Sequence, residues 1–192
     1  PIKSSAASDV YKRQHLPNPQ VSNVEAVTCT REGAIWAGTN KGLFIKKKDE
    51  KSFTLYKTTQ NFDVKSLLED KRGHIWIGTW SQGLFRYDPT QQCLYTYQNV
   101  CSRNSAHVIF QDKDENIWIG TWRCGLLKMQ NPYDMQHYGF IRYTHDKDNP
   151  SSIADDIIYA ITQDQNTGKI WIGSRSALSI MESEDGIFTN YY

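Results

Sequence analysis

Apolar residues in this chain come in short runs of four to seven, separated by polar, Gly-containing turns, and no stretch shows helical periodicity. One run recurs four times: Ile35-Trp36-Ala37-Gly38-Thr39, Ile75-Trp76-Ile77-Gly78-Thr79, Ile117-Trp118-Ile119-Gly120-Thr121 and Ile170-Trp171-Ile172-Gly173-Ser174. The tryptophans lie 40, 42 and 53 residues apart. An apolar run ending in an acidic or polar pair precedes each copy, as in Val64-Lys65-Ser66-Leu67-Leu68-Glu69-Asp70, and a tight turn such as Lys71-Arg72-Gly73 joins the two. A third run follows, exemplified by Leu84-Phe85-Arg86-Tyr87, and then a weaker fourth, exemplified by Leu94-Tyr95-Thr96-Tyr97.

Four short strands per unit at a period near 40 predict an all-β chain, a β-propeller of four consecutive four-stranded antiparallel blades. The blades are placed at about residues 20–57, 58–98, 99–146 and 147–192, within a partial propeller over 15–192. Trp36, Trp76, Trp118 and Trp171 are expected to fill the wedges between blades, and Gly38, Gly78, Gly120 and Gly173 to permit close backbone approach. Trp36 and Trp171, in the end units, are expected to be the more exposed. Nothing resembles a strand that would latch a four-bladed ring, so the chain is expected to be a piece of a larger propeller of about seven blades. Residues 1–14 are polar and aperiodic, and read as an extraneous, disordered leader.

Charge and composition narrow the partners. Lys and Arg number 22 against 21 Asp and Glu, a net charge of +1, and the run Lys46-Lys47-Lys48 is broken by Asp49 and Glu50. Nucleic acid therefore has no electrostatic footprint here. Four cysteines at irregular spacing form no CxxC and no metal-ligand pattern, so neither a metal nor a cofactor is expected. Cys93 and Cys101 flank one strand and its following loop, where an oxidising compartment would allow a bridge.

Catalytic signals are weak. The carboxylates Asp146, Asp148, Asp155 and Asp156 fall in a loop rich in Asn, Pro and Ser, where Asp caps turns. His15, His74, His107, His137 and His145 share no period, and no nucleophile elbow, phosphate loop or dinucleotide fingerprint occurs. Strand order puts the second-to-third turns and the inter-blade links on one side. Trp80 and Trp122, each directly after Gly-Thr, lie there with Arg123, Arg175 and the junction 144–156. Exposed Trp with Arg suits stacking on a sugar ring and pairing with a carboxylate. The alternative is that both Trp are repeat-encoded packing residues at the rim.

The pattern of an apolar run, Glu/Gln-Asp, Gly-x-Ile-Trp-Ile-Gly-Thr and then Gly-Leu-x-(Arg/Lys) resembles the two component regulator propeller repeat, over residues 15–192. Unit one departs at Thr30, where an acidic residue is expected; unit three has Glu115 for the turn Gly; unit four has Ala177-Leu178 for Gly-Leu. The resemblance implies the periplasmic sensor region of a hybrid histidine kinase. In that family, propellers precede an Ig-like domain, a membrane span and a kinase, often in gut bacteria that sense polysaccharide breakdown products. It implies a non-enzymatic module that binds an oligosaccharide or other small extracellular ligand. Its partners would be the remaining blades and downstream sensor domains, in a dimeric full-length protein. The alternative function is a propeller-type carbohydrate-active enzyme such as a polysaccharide lyase, which would need a Tyr or His base and an Arg or metal neutraliser on one face.

Overall fold

The computed structural model describes residues 16–18, 20–102 and 105–192; the expectation for residues 1–14 lies outside the described residues. Four antiparallel sheets follow one another along the chain, each in sequential strand order. The first holds β1 (Val24–Cys29), β2 (Ile35–Thr39), β3 (Gly42–Lys46) and the two-residue β4 (Thr54–Leu55). The second holds β5 (Val64–Glu69), β6 (Ile75–Thr79), β7 (Leu84–Asp88) and β8 (Cys93–Tyr97). The third holds β9 (Val108–Gln111), β10 (Ile117–Gly120), β11 (Leu126–Gln130) and β12 (Gly139–Tyr143). The fourth holds β13 (Ile158–Gln163), β14 (Ile170–Ser174), β15 (Leu178–Ser183) and β16 (Ile187–Tyr191). The helical element among them is one 3-10 turn, Lys57–Thr59. The first strands of successive sheets, β1, β5, β9 and β13, lie side by side, so the sheets stack as propeller blades around an inner edge.

A repeated Asp explains most of the local order of the second and third blades. Asp70 Oδ1 accepts the backbone N–H groups of Arg72 and His74, closing the β5–β6 turn, and its Oδ2 accepts the Trp76 indole N–H at 2.8 Å. Asp112 does the same for Asp114, Asn116 and Trp118, the last at 2.9 Å. Both carboxylates are buried, and a buried charge is tolerated only when fully hydrogen-bonded. In the first blade Thr30 Oγ1 takes over the turn, accepting the Ala34 N–H. The Glu or Gln before each Asp reaches the preceding blade. Glu69 accepts the Arg31 N–H, Gln111 the Lys71 N–H and Gln163 the Lys113 N–H.

Three core clusters occupy the three spaces between blades. Trp36 packs with Val64, Ile75 and Ile77 of the second blade; Trp76 with Ile109, Ile117 and Ile119 of the third; Trp118 with Ile158, Ile161 and Ile172 of the fourth. Each Trp thus faces the blade that follows it. That direction corrects one expectation: Trp36 is buried, because the second blade covers it, while Trp171 is half-buried with its indole nitrogen unpartnered. In the fourth blade an extra turn residue separates Asp164 from Trp171, and Asp164 instead receives Asn166 N–H and Thr167 Oγ.

The motif glycines sit where the next blade comes closest. A Cβ on Gly78 would collide with Ser66 Oγ and the Ala106 carbonyl, and one on Gly120 with Val108 and Ile158; Gly173 has no such neighbour. Glu115 occupies the left-handed turn position, φ 66°, that Gly33, Gly73 and Gly168 take elsewhere. Cys93 is a free, exposed thiol, so no bridge joins it to the buried Cys101.

Two stability predictions follow from this packing. Trp76→Ala is expected to cost about 3–5 kcal/mol, and Trp76→Phe about 1–3 kcal/mol because Asp70 loses its indole donor while most of the volume stays. Denaturant melts of both variants check this; a Phe variant as stable as the parent would remove the hydrogen bond from the account. Glu115→Gly relieves a left-handed side chain and is expected to gain up to about 1 kcal/mol in the same melts.

Candidate ligand-binding face

The residue after each Gly-Thr is aimed by the turn that the Thr locks. Thr79 Oγ1 donates to the Gly83 carbonyl at 2.7 Å and accepts the Gln82 N–H; Thr121 Oγ1 donates to Gly125 and accepts the Cys124 N–H. Asn40, Trp80, Trp122 and Arg175 therefore occupy equivalent positions, one per blade, on the end of the propeller where the second-to-third turns open.

The structure brings the two tryptophans together. Trp80 and Trp122 have ring centroids 5.1 Å apart with planes inclined by 54°. Trp80 keeps 38% of its surface exposed, whereas Trp122 is half-buried and bridges the start of the fourth blade at Ile157. A cavity of about 250 Å³ opens between them, lined also by Ser81 and Ser105.

Arg123 and Arg175 line a separate, adjoining cavity of about 550 Å³, with His145, Asp155, Asp156 and Ile157. Arg175 is paired: its Nη2 lies 3.1 Å from Asp155 Oδ2. Arg123, held at φ 79° by its N–H to the Asp156 carbonyl, makes no ion pair among the described residues and is exposed. The carboxylates of the 144–156 junction cap turns. Asp156 accepts the His145 N–H, Asp155 the Ile157 N–H and Asp146 the Asp148 N–H.

A row of four residues at this end escaped sequence reasoning. Glu25, Lys65 and Tyr159 are the extra residues at register shifts in β1, β5 and β13, and His107 takes the same place just before β9. A bulge turns a side chain away from the ladder, and here it points each toward the inner edge. Lys65 Nζ pairs with Glu25 at 2.7 Å and lies 5.4 Å from the Trp80 ring centre. His107 is enclosed by Trp80, Trp122 and Tyr159 at centroid distances of 6.2, 5.7 and 6.2 Å, and its Nδ1 is buried without a hydrogen-bond partner. The sequence signal was the position directly before the residue that opposes each motif Gly, but its chemistry changes from blade to blade, so no period shows.

These features form a polar-rimmed aromatic surface: two indoles and a phenol, the unpaired Arg123 guanidinium, and the Lys65 ammonium over the Trp80 ring. Among the described residues no three His, Cys, Asp or Glu side chains are grouped to hold a metal ion.

Two segments, residues 59–81 and 102–123, match the sequence model of the two component regulator propeller. Those two segments are similar to that repeat. Among solved structures, the extracellular domain of a hybrid two component system of B. thetaiotaomicron is 27% identical, with a TM-score of 0.71 over 88% of this chain and 22% of that one. The corresponding domain of another such system from the same organism is 23% identical, with a TM-score of 0.69 over 88% of this chain and 23% of that one. Virginiamycin B lyase from Staphylococcus aureus shares the fold at 14% identity, with a TM-score of 0.68 over 90% of this chain and 56% of that one. No curated protein matches in sequence. The chain thus spans about a fifth of the length of those two extracellular domains. No helix among the described residues is long and apolar enough to cross a membrane.

His107 gives this face a pH dependence. Burial among the rings, with the Lys65 charge added, holds its imidazole below the usual histidine range, so the folded protein keeps it neutral where the unfolded chain takes up a proton. Stability from this group is complete above about pH 6.5 and is lost as pH falls through the depressed folded value. Thermal melts at pH 7 and pH 5 should show a smaller acid loss for His107→Gln than for the parent; equal losses would place the titration elsewhere.

Proposed function

We propose that the chain is part of the extracytoplasmic sensor region of a two component system, and that it binds an oligosaccharide on the Trp80–Trp122 face without turning it over. The observation that carries this reading is the paired indoles at the one end of the blades where an unpaired Arg123 also lies. Two tilted aromatic rings around a small open cavity fit the apolar faces of pyranose rings, and Arg123 supplies a donor fork for a hydroxyl or carboxylate. The 27% identity to an extracellular sensor domain supports the sensor class and the extracytoplasmic, periplasmic location. Its neighbours within such a protein would be further blades and downstream sensor domains in a dimer, with signal passing through blade contacts.

A second reading, a lyase, draws on one specific arrangement. His107 and Tyr159 sit together on this face, with Lys65 beyond Trp80 and Arg123 beside Trp122, and a neutral imidazole among cations is the equipment of a base that removes a proton next to a carboxylate. No hydrogen bond orients His107, which leaves the base unpositioned and favours binding.

Calorimetric titration with glycan fragments tests both readings. Binding is expected, with Trp80→Ala and Trp122→Ala each losing about 1 kcal/mol, roughly fivefold in Kd. Unchanged affinity in both variants would remove the site from this face. Release of an unsaturated sugar, followed by ultraviolet absorbance and abolished by His107→Gln, would replace the sensor reading with the lyase.

A further inference from the structure

The opposite end of the propeller carries a further cavity. It measures about 540 Å³, lies between the second and third blades, and is walled by the β7–β8 turn and the β11–β12 turn. Its floor is Arg86, a guanidinium with only 4% of its surface exposed. Arg86 Nε–H donates to the Tyr97 hydroxyl at 2.9 Å, and that hydroxyl donates onward to the Pro132 carbonyl. Burial holds the Tyr97 hydroxyl up at about 12 against the opposing pull of Arg86, so Tyr97 is a neutral partner. Tyr95 and Tyr133 flank the guanidinium carbon at 4.6 and 5.3 Å from their ring centres. Among the described residues no carboxylate lies within ion-pair distance of Arg86, and its Nη groups have no hydrogen-bond partner.

The neighbouring blade shows what is missing. Lys128 stands opposite Trp118 on β11 as Arg86 stands opposite Trp76 on β7. Lys128 Nζ is matched by Glu184 Oε1, 2.6 Å away, from the third-to-fourth turn of the fourth blade. In the corresponding turn of the third blade, Tyr133, Asp134, Met135 and Gln136 form a cavity wall, and Asp134 pairs with His137 rather than with Arg86. Two carboxylates, Asp88 and Asp134, also line the cavity, and both are committed to other partners. Asp88 accepts the Thr90 and Gln91 N–H groups and faces His74, while Asp134 accepts the Gln136 and His137 N–H groups. A buried charge without a counter-charge is costly, and a guanidinium between aromatic walls binds a carboxylate through two parallel N–H donors.

We propose that this cavity is a second ligand site, in which the carboxylate of a small organic anion occupies the place that Glu184 takes for Lys128 and pairs with the Nη groups of Arg86. The Tyr95 and Tyr133 rings and the Gln91 and Gln136 amides select a ligand whose body is a polar ring of sugar size. This goes beyond the oligosaccharide face, which lies at the other end of the blades.

The test titrates the protein with glucuronate, glucose and acetate, read by calorimetry and by the shift in melting temperature. Glucuronate should bind at least tenfold more tightly than glucose, which shares the ring, and than acetate, which shares the charge. Raising NaCl from 50 to 500 mM should weaken the two carboxylates and leave glucose unchanged. Arg86→Met should abolish the preference and Lys128→Met should leave it intact. If Arg86→Met fails to fold by circular dichroism, Gln136→Ala and Tyr95→Ala, on the rim, should each weaken glucuronate several-fold. The proposal is overturned if glucuronate does not bind up to 50 mM, if glucose binds equally well, or if both rim variants bind as the parent does.

Discussion

The bond from a buried indole N–H to a buried aspartate is the joint on which the second and third blades turn. It fixes the Trp rotamer so that the ring lies against the next blade, and it holds the carboxylate whose other oxygen closes the first hairpin turn. Turn, strand pairing and inter-blade packing therefore share one charged group. Where the pair is broken, the effects are local and consistent. Thr30 closes its turn alone, and Trp171, displaced by one residue from Asp164, keeps an unpartnered nitrogen.

Blade spacing is set from two sides. At the inner edge the motif glycines let the first strand of the next blade approach to a distance that no Cβ would permit. At one end the Glu or Gln side chains of β5, β9 and β13 clamp the turn of the blade before. With position fixed by backbone and amide contacts, residues just outside the motif are free to vary. The position after Gly-Thr carries Asn40, Trp80, Trp122 and Arg175, and the bulge position carries Glu25, Lys65, His107 and Tyr159. A rigid repeat thus displays eight side chains of seven kinds at one end.

The same logic distinguishes the two cations opposite the tryptophans. Lys128 and Arg86 occupy one repeat position, yet one is satisfied inside the protein and the other faces a cavity. The difference lies in the third-to-fourth turns, which differ in length and content from blade to blade: that of the third blade sends Tyr133 to Asp70, whereas that of the fourth sends Glu184 to Lys128.

By itself the sequence determined the blades, because their signals are local: an Asp six residues before a Trp, a Gly two after it, a Thr that closes the next turn. It also placed Trp80, Trp122, Arg123 and Arg175 on one end, since strand order alone decides which turns open together. The face that each Trp turns to its neighbours came from tertiary structure, and so did the burial of Trp36. The pairing of Trp80 with Trp122, the separation of the two arginines into their own cavity, the bulge row and the unpaired Arg86 were also set there. Each of these depends on side chains some 40 to 50 residues apart meeting across a wedge whose width is set by packing, and loop lengths that drift from blade to blade hide that meeting from any fixed period in the chain.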